Sequence, residues 1–189
     1  AVFLDMFGDP SKFDLVKIHE VASSEKYSLS SGPFGSNLTS KDYVDNGVIV
    51  LRGTNVTSGE LNLDNIKYVS ENKAQELRRS AISPGDIVIV AVGASGHALK
   101  IPASMPKAVM SQNFNKITPN KDMTTPTFLE FCFNSNFVQN QFAQNTTDTV
   151  RTFLSLTKIK EITIPLPPIE LQLQFEKIVN RVKEQKSKI

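Results

Sequence analysis

Residues 85 to 102, GDIVIVAVGASGHALKIP, put Ser95 and His97 on a glycine-rich turn after six consecutive apolar residues, 87–92. A serine near a histidine at the end of a buried strand is where an acyl-transfer nucleophile would sit. Such a nucleophile elbow reads G-x-S-x-G and runs from strand through a sharp turn into a helix. Here the order is Gly93, Ala94, Ser95, Gly96, His97, so the second glycine comes one place early. The residues that follow, HALKIPASMP, are poor helix formers. The stretch therefore reads as a core strand and a turn joining it to the next strand. Asp86 with Ala98-Leu99-Lys100 supplies the acid and the lysine of a metal-dependent nuclease, but the glutamate two places before the lysine is missing. No G-x-x-x-x-G-K-[ST] phosphate loop, no H-E-x-x-H motif and no methyltransferase cofactor loop with an [N/D]-P-P-[Y/F] motif is present. One cysteine, Cys132, and two histidines cannot furnish a four-ligand Cys/His zinc site. The expectation is a chain with no catalytic residue and no metal site of its own.

What remains is polar, uncharged and rich in amides. SQNFNK (111–116) and QNQFAQNTTDTVR (139–151) are dense in Gln, Asn, Thr and Ser, and Ser36-Asn37 and Arg52 with Thr54-Asn55 follow turn or strand positions. Asn, Gln, Arg, Ser and Thr are the side chains that contact base edges in the major groove of DNA. A net charge of +2 permits nucleic-acid binding without requiring it. Residues 176–189 hold five Lys/Arg against two Glu, so the remainder nets about −1 and any binding face there depends on local clustering. A single cysteine excludes internal disulfides and suits a reducing compartment. No apolar stretch approaches the ~20 residues of a membrane span. The first ten residues contain two aspartates and no basic residue, unlike a secretory leader.

The elements that must carry these loops are legible in part. AVFLDMFGDP reads as a helix end capped near Gly8 and stopped by Pro10. GVIVLR (47–52), IKYVS (66–70) and DIVIVAV (86–92) read as strands, the last buried on both faces. Ser70 is placed to cap a helix through ENKAQELRRS. HALKIP and AVMSQNFNKITP are further strand candidates. Thr125-Pro126 is an N-cap followed by proline at the first helical position, and a second helix runs through Phe137, Val138 and Phe142. EITIPLPP (161–168) is a last strand. After Pro168, Leu171, Phe175, Ile178, Val182 and Ile189 are spaced by four, three, four and seven, a heptad seam suited to pairing with another helix. The bland alternative is an amphipathic helix packed on its own domain.

Taken in order, SGPFGSNLTSKDYVDNGVIVLRGTNV, SPGDIVIVAVGASGHA, MSQNFNKITP, PTFLEFCFNS and LSLTKIKEITIPLPPIELQLQF resemble the specificity subunit of type I restriction–modification systems over nearly the whole chain. The chain departs from the family's frequent Gly-Ser-Thr turn before L-S-L, reading Thr147-Asp148-Thr149-Val150-Arg151 there. The resemblance implies an α+β target recognition domain over 11–166, with a mixed, twisted β-sheet and flanking helices. It implies the end of a spacer helix over 1–10 and the start of a coiled-coil spacer helix over 167–189. The implied function is non-catalytic reading of one half of a bipartite site in double-stranded DNA. S-adenosylmethionine, ATP and Mg2+ would belong to partner subunits, a methyltransferase and, indirectly, a motor-nuclease. A second recognition domain or a second copy would pair through the spacer helices, and the setting would be the prokaryotic cytoplasm. The loops expected to face DNA carry Ser36, Asn37, Arg52, Thr54, Asn55, Ser95, His97, Gln112, Asn113, Thr147, Thr149 and Arg151, chosen by side-chain chemistry. The rival classes are a helix-mediated assembly fragment without DNA reading and a small hydrolase or nuclease.

Overall fold

The computed structural model describes residues 2–57, 60–92, 96–144 and 153–186. In chain order these form α1 (Val2–Phe7), β1 (Asp14–Lys17), β2 (Leu29–Ser31), β3 (Tyr43–Val44), β4 (Val48–Leu51), β5 (Val56–Thr57), β6 (Glu60–Leu61), β7 (Lys67–Val69), α2 (Glu71–Glu76), β8 (Ala81–Ile82), β9 (Ile87–Val90), β10 (Ala98–Lys100), β11 (Ala108–Met110), β12 (Phe114–Ile117), α3 (Pro126–Phe133), α4 (Asn136–Gln144), α5 (Leu156–Glu161), β13 (Thr163–Leu166) and α6 (Ile169–Lys186). The fold is α+β, as expected. Its strands are distributed over small sheets rather than gathered into one: β10-β9-β12-β2, β3-β7-β4-β11-β8, and the pairs β1-β13 and β5-β6. The five-stranded sheet is mixed, because β11 lies parallel to β4 and antiparallel to β8.

Local chemistry explains where these elements begin. The Thr125 hydroxyl accepts from the Phe128 N–H, and Pro126 at the first helical position of α3 has no N–H, so two of the first-turn positions need no further acceptor. Ser70 caps α2 through the Lys73 N–H, but α2 ends at Glu76 and residues 78–80 form a 3-10 turn, shorter than the helix expected through Ser80. The Gly8 N–H donates to the Leu4 carbonyl, closing α1 where a Cβ would lie 2.3 Å from that oxygen.

DIVIVAV behaves as a strand buried on both faces. Ile87 and Ile89 of β9 belong to one apolar cluster while Val88 belongs to another. The first cluster lies between β9 and α3, and a phenylalanine group extends it to both ends of the chain. Phe7 of α1, Phe128 of α3 and Phe175 of α6 are fully enclosed, with ring centroids 5.1 Å apart for Phe7–Phe128 and 5.5 Å apart for Phe7–Phe175. Burying one such ring contributes roughly 1.5–3 kcal/mol, so α1 and α6 are held by the same core as the domain. The apolar core therefore runs across the expected boundaries at residues 10/11 and 166/167.

This corrects the expected helix-pairing seam. Phe175 is 1% exposed and Leu171 packs against the same cluster, so these two are covered by the chain's own domain and not presented to another helix. Val179, not part of the seam, joins them because positions 171, 175 and 179 share one face of an α-helix. Ile178 is half-buried, Val182 is exposed, and Ile189 lies outside the described residues.

Polar bonds complete the docking of α6. Gln172 is wholly buried, its Oε1 accepting from the Thr124 hydroxyl and the Thr125 N–H, and its Nε2 donating to the Met123 and Pro167 carbonyls. Glu176 accepts from the Thr127 hydroxyl, which in turn accepts from Lys100 Nζ at 2.8 Å.

Candidate nucleic-acid interface

Backbone pairing gathers several of the expected loops at one end of the molecule. Gly32 N–H donates to Phe114 O, Ser111 N–H to Leu51 O, Ala91 N–H to Asn113 O and Leu154 N–H to Ala91 O. These bonds tie the loop after β2, the end of β4, the 111–113 turn, the end of β9 and the segment entering α5 to one another. Gly32 is required there: a Cβ would lie 1.9 Å from the Ser111 carbonyl oxygen, a collision with backbone that no side-chain adjustment relieves. The first residue of loop 32–37 therefore sits directly on the Ser111-Gln112 backbone.

Ser36, Asn37, Thr54 and Gln112 are exposed at this end, and Asn113 is half-buried. Arg52, Gly53, Thr54, Ser111, Gln112 and Asn113 border a cleft of about 240 Å³. Asn37 borders a second cavity of about 400 Å³ with Phe34, Lys73 and Arg79. Phe34, within loop 32–37, is 65% exposed, and Phe153, which precedes the Leu154 bonded to Ala91, is 44% exposed.

Other expected residues have different duties. Asn55 is 1% exposed and does not face outward. Its Oδ1 accepts from the Arg52 N–H and its Nδ2 donates to the Asn62 and Asp64 carbonyls, so it holds the β5–β6 hairpin together. Arg52 is half-buried and its Nη2 donates to the Asn65 carbonyl at 2.6 Å, which ties the guanidinium to the same hairpin. His97 is exposed, and its carbonyl accepts from the Val90 N–H in the antiparallel β9–β10 pair. Ser95, Thr147, Thr149 and Arg151 lie outside the described residues. Gly96, at φ +90°, owes its identity to Phe142 of α4, whose ring carbon a Cβ would approach to 2.5 Å.

Sequence reasoning gave SQNFNK one character, but the strand divides it. Asn115 is fully buried, donating from Nδ2 to the Leu154 carbonyl and accepting from the Ser31 hydroxyl. Lys116 is buried with Asp86, 3.7 Å away, and donates to the Ala81 carbonyl. Asp86 also accepts from the Ser83 N–H and the Thr118 hydroxyl. Its two oxygens are thus committed to internal partners, an arrangement that serves folding.

Beside the face, Asp42 accepts from the Thr39 backbone N–H and hydroxyl and pairs with Lys73, and these contacts hold its carboxyl below the usual range. Among the described residues no group of three or more His, Cys, Asp or Glu side chains could hold a metal ion. No helix there is long and apolar enough to cross a membrane. Among the described residues, the chemistry offered at this face is hydrogen-bond donors and acceptors from amides, hydroxyls and a guanidinium.

Comparison with known proteins agrees with this character. The chain is 27% identical, over 143 residues, to the type I restriction enzyme EcoBI specificity subunit of Escherichia coli, an overlap of 76% of this chain and 29% of that protein. Its fold is similar to the HsdS subunit of Thermoanaerobacter tengcongensis (TM-score 0.60, 19% identity, 93% of this chain and 44% of that one). It is also similar to the type I restriction-modification S subunit of M. genitalium (TM-score 0.61, 16% identity, 99% of this chain and 44% of that one). The chain thus spans less than half the length of each of these relatives. With residues 10–189 matching the family model for the type I restriction modification DNA specificity domain, the chain belongs to that family.

Proposed function

We propose that this chain is a non-catalytic module that reads one half of a bipartite sequence in double-stranded DNA for a type I restriction–modification complex. The observation that carries the reading is the convergence of loops 32–37, 52–54 and 111–113 at one end of the fold, with Ser36, Asn37, Thr54 and Gln112 exposed. Side chains of these types contact bases and phosphates in the grooves of a duplex. On this reading α1 and α6 belong to the ends of spacer helices, and the exposed Leu4, Leu173 and Val182 on them are available to a second recognition domain or a second copy. A methyltransferase subunit would bring S-adenosylmethionine, and a motor-nuclease subunit ATP and Mg2+.

The test is selection from a random duplex library at low salt, with and without the methyltransferase subunit. A short enriched motif is the expected result. Binding should weaken by about 0.9 log unit per log unit of salt for each phosphate neutralised. No enrichment under either condition would leave the helix-mediated assembly role in its place.

A further inference from the structure

The cleft between Arg52 and the 111–113 turn carries donors that the folded chain does not use. Ser111 is 7% exposed, lines the cleft, and its hydroxyl has no hydrogen-bond partner. Arg52, on the same lining, has a buried Nε that is also without a partner. Leaving a buried donor unsatisfied costs about 1–3 kcal/mol, so two in one small cleft are a standing cost unless an acceptor enters. The described lining contains Tyr43, Thr54, Gln112 and Asn113 but no carboxylate. An anion entering there meets a positive charge and no opposing one.

The tether on Arg52 decides which kind of acceptor. Its Nη2 is committed to the Asn65 carbonyl, so the guanidinium cannot swing out into a groove and lay its free fork along a guanine edge. What remains is a fixed charge with an unspent Nε–H, in one cleft with a serine hydroxyl. Such a set suits a tetrahedral oxyanion held at the protein surface.

We propose that this cleft is a phosphate seat, taking one backbone phosphodiester of the bound duplex with Arg52 and Ser111 donating to its non-bridging oxygens. The inference rests on the DNA-reading function proposed above and divides its labour. Arg52 and Ser111 fix the register of the duplex, and the exposed Gln112, Ser36 and Asn37 are left to meet base edges.

The experiment titrates the wild-type chain, Arg52→Gln and Ser111→Ala against the selected duplex over a salt series, then against duplexes carrying single neutral methylphosphonates. Arg52→Gln should bind ~10-fold or more weakly, because it loses a charge-assisted contact. It should keep the same preferred half-site and lose about 0.9 from its log–log salt slope. Ser111→Ala removes an unpartnered hydroxyl, so it should fold at least as stably as the wild type while binding several-fold more weakly to all sequences. One methylphosphonate should weaken the wild type most, Ser111→Ala less because Arg52 remains, and Arg52→Gln least. A changed base preference with an unchanged salt slope in Arg52→Gln, or wild-type affinity in Ser111→Ala, would overturn the seat and leave DNA reading intact. Salt-independent, sequence-blind binding by the wild type would overturn the DNA reading itself, and the seat with it.

Discussion

Asn55 and Gln112 are both amide side chains in turns at the same end of the molecule, yet their environments give them opposite roles. Asn55 is enclosed and spends its side chain on three backbone groups, those of Arg52, Asn62 and Asp64. Gln112 is exposed. Truncating Asn55 to alanine leaves one N–H and two carbonyls without partners inside the protein, and should cost about 2–3 kcal/mol of stability. Truncating Gln112 should change stability by no more than about 0.5 kcal/mol, as exposed substitutions do. Urea unfolding of the two variants separates these expectations, and a Gln112→Ala loss as large as that of Asn55→Ala would mean that the turn depends on its exposed amide. The same contrast limits what residue type says about a site. SQNFNK supplies Gln112 to the surface and Asn115 and Lys116 to the interior, and only the register of β12 determines which is which.

At the scale of elements, α6 shows what periodicity reveals and what it conceals. The spacing of Leu171, Phe175, Ile178 and Val182 correctly marks a helix with an apolar stripe, but a stripe does not name what covers it. Phe3, Phe7 and Phe131 cover Phe175 from within the chain. That contact brings residues 3 and 175 together, and no local pattern encodes so distant a meeting. Helix starts at Ser70 and Thr125 and the buried strand β9 were legible because their signals are local: a capping hydroxyl, a proline, an unbroken apolar run. The β1–β13 pairing, Asp14 opposite Leu166, was not, since each strand is only four residues long and neither names its partner. Gln172 was missed for the opposite reason: a glutamine on a helix reads as solvated. It is the polar lock of the α6 docking site, and Gln172→Leu, similar in size, should strand the Thr125 N–H and the Met123 and Pro167 carbonyls. A loss of about 3 kcal/mol or more is expected, with faster hydrogen exchange at the start of α6. Unchanged exchange there would show that the phenylalanine cluster alone holds the helix.

For the whole molecule, the question is whether the chain ends and the recognition domain unfold as one unit. Cys132 offers a probe, because it is the only cysteine and sits in the cluster that Phe7 and Phe175 enter from the two ends. Burial pushes its thiol up to about 12, so at pH 8 the native protein holds almost no thiolate, and reaction with a thiol reagent requires opening. If α1, α6 and the domain form one cooperative unit, loosening α6 must expose Cys132 in proportion to the stability lost. Gln172→Leu should then raise the labelling rate about ten-fold for each 1.4 kcal/mol that it removes, provided that opening is fast relative to reaction. The check is a labelling time course at pH 8 for wild type and variant, set beside their unfolding free energies. A rate indifferent to Gln172→Leu would mean that α6 detaches without disturbing the core around α3. The terminal helix would then be separable from the rest of the fold. Rates that follow stability would instead make the placement of α6 a rigid property of the fold, with both ends of the described chain locked to the core around α3.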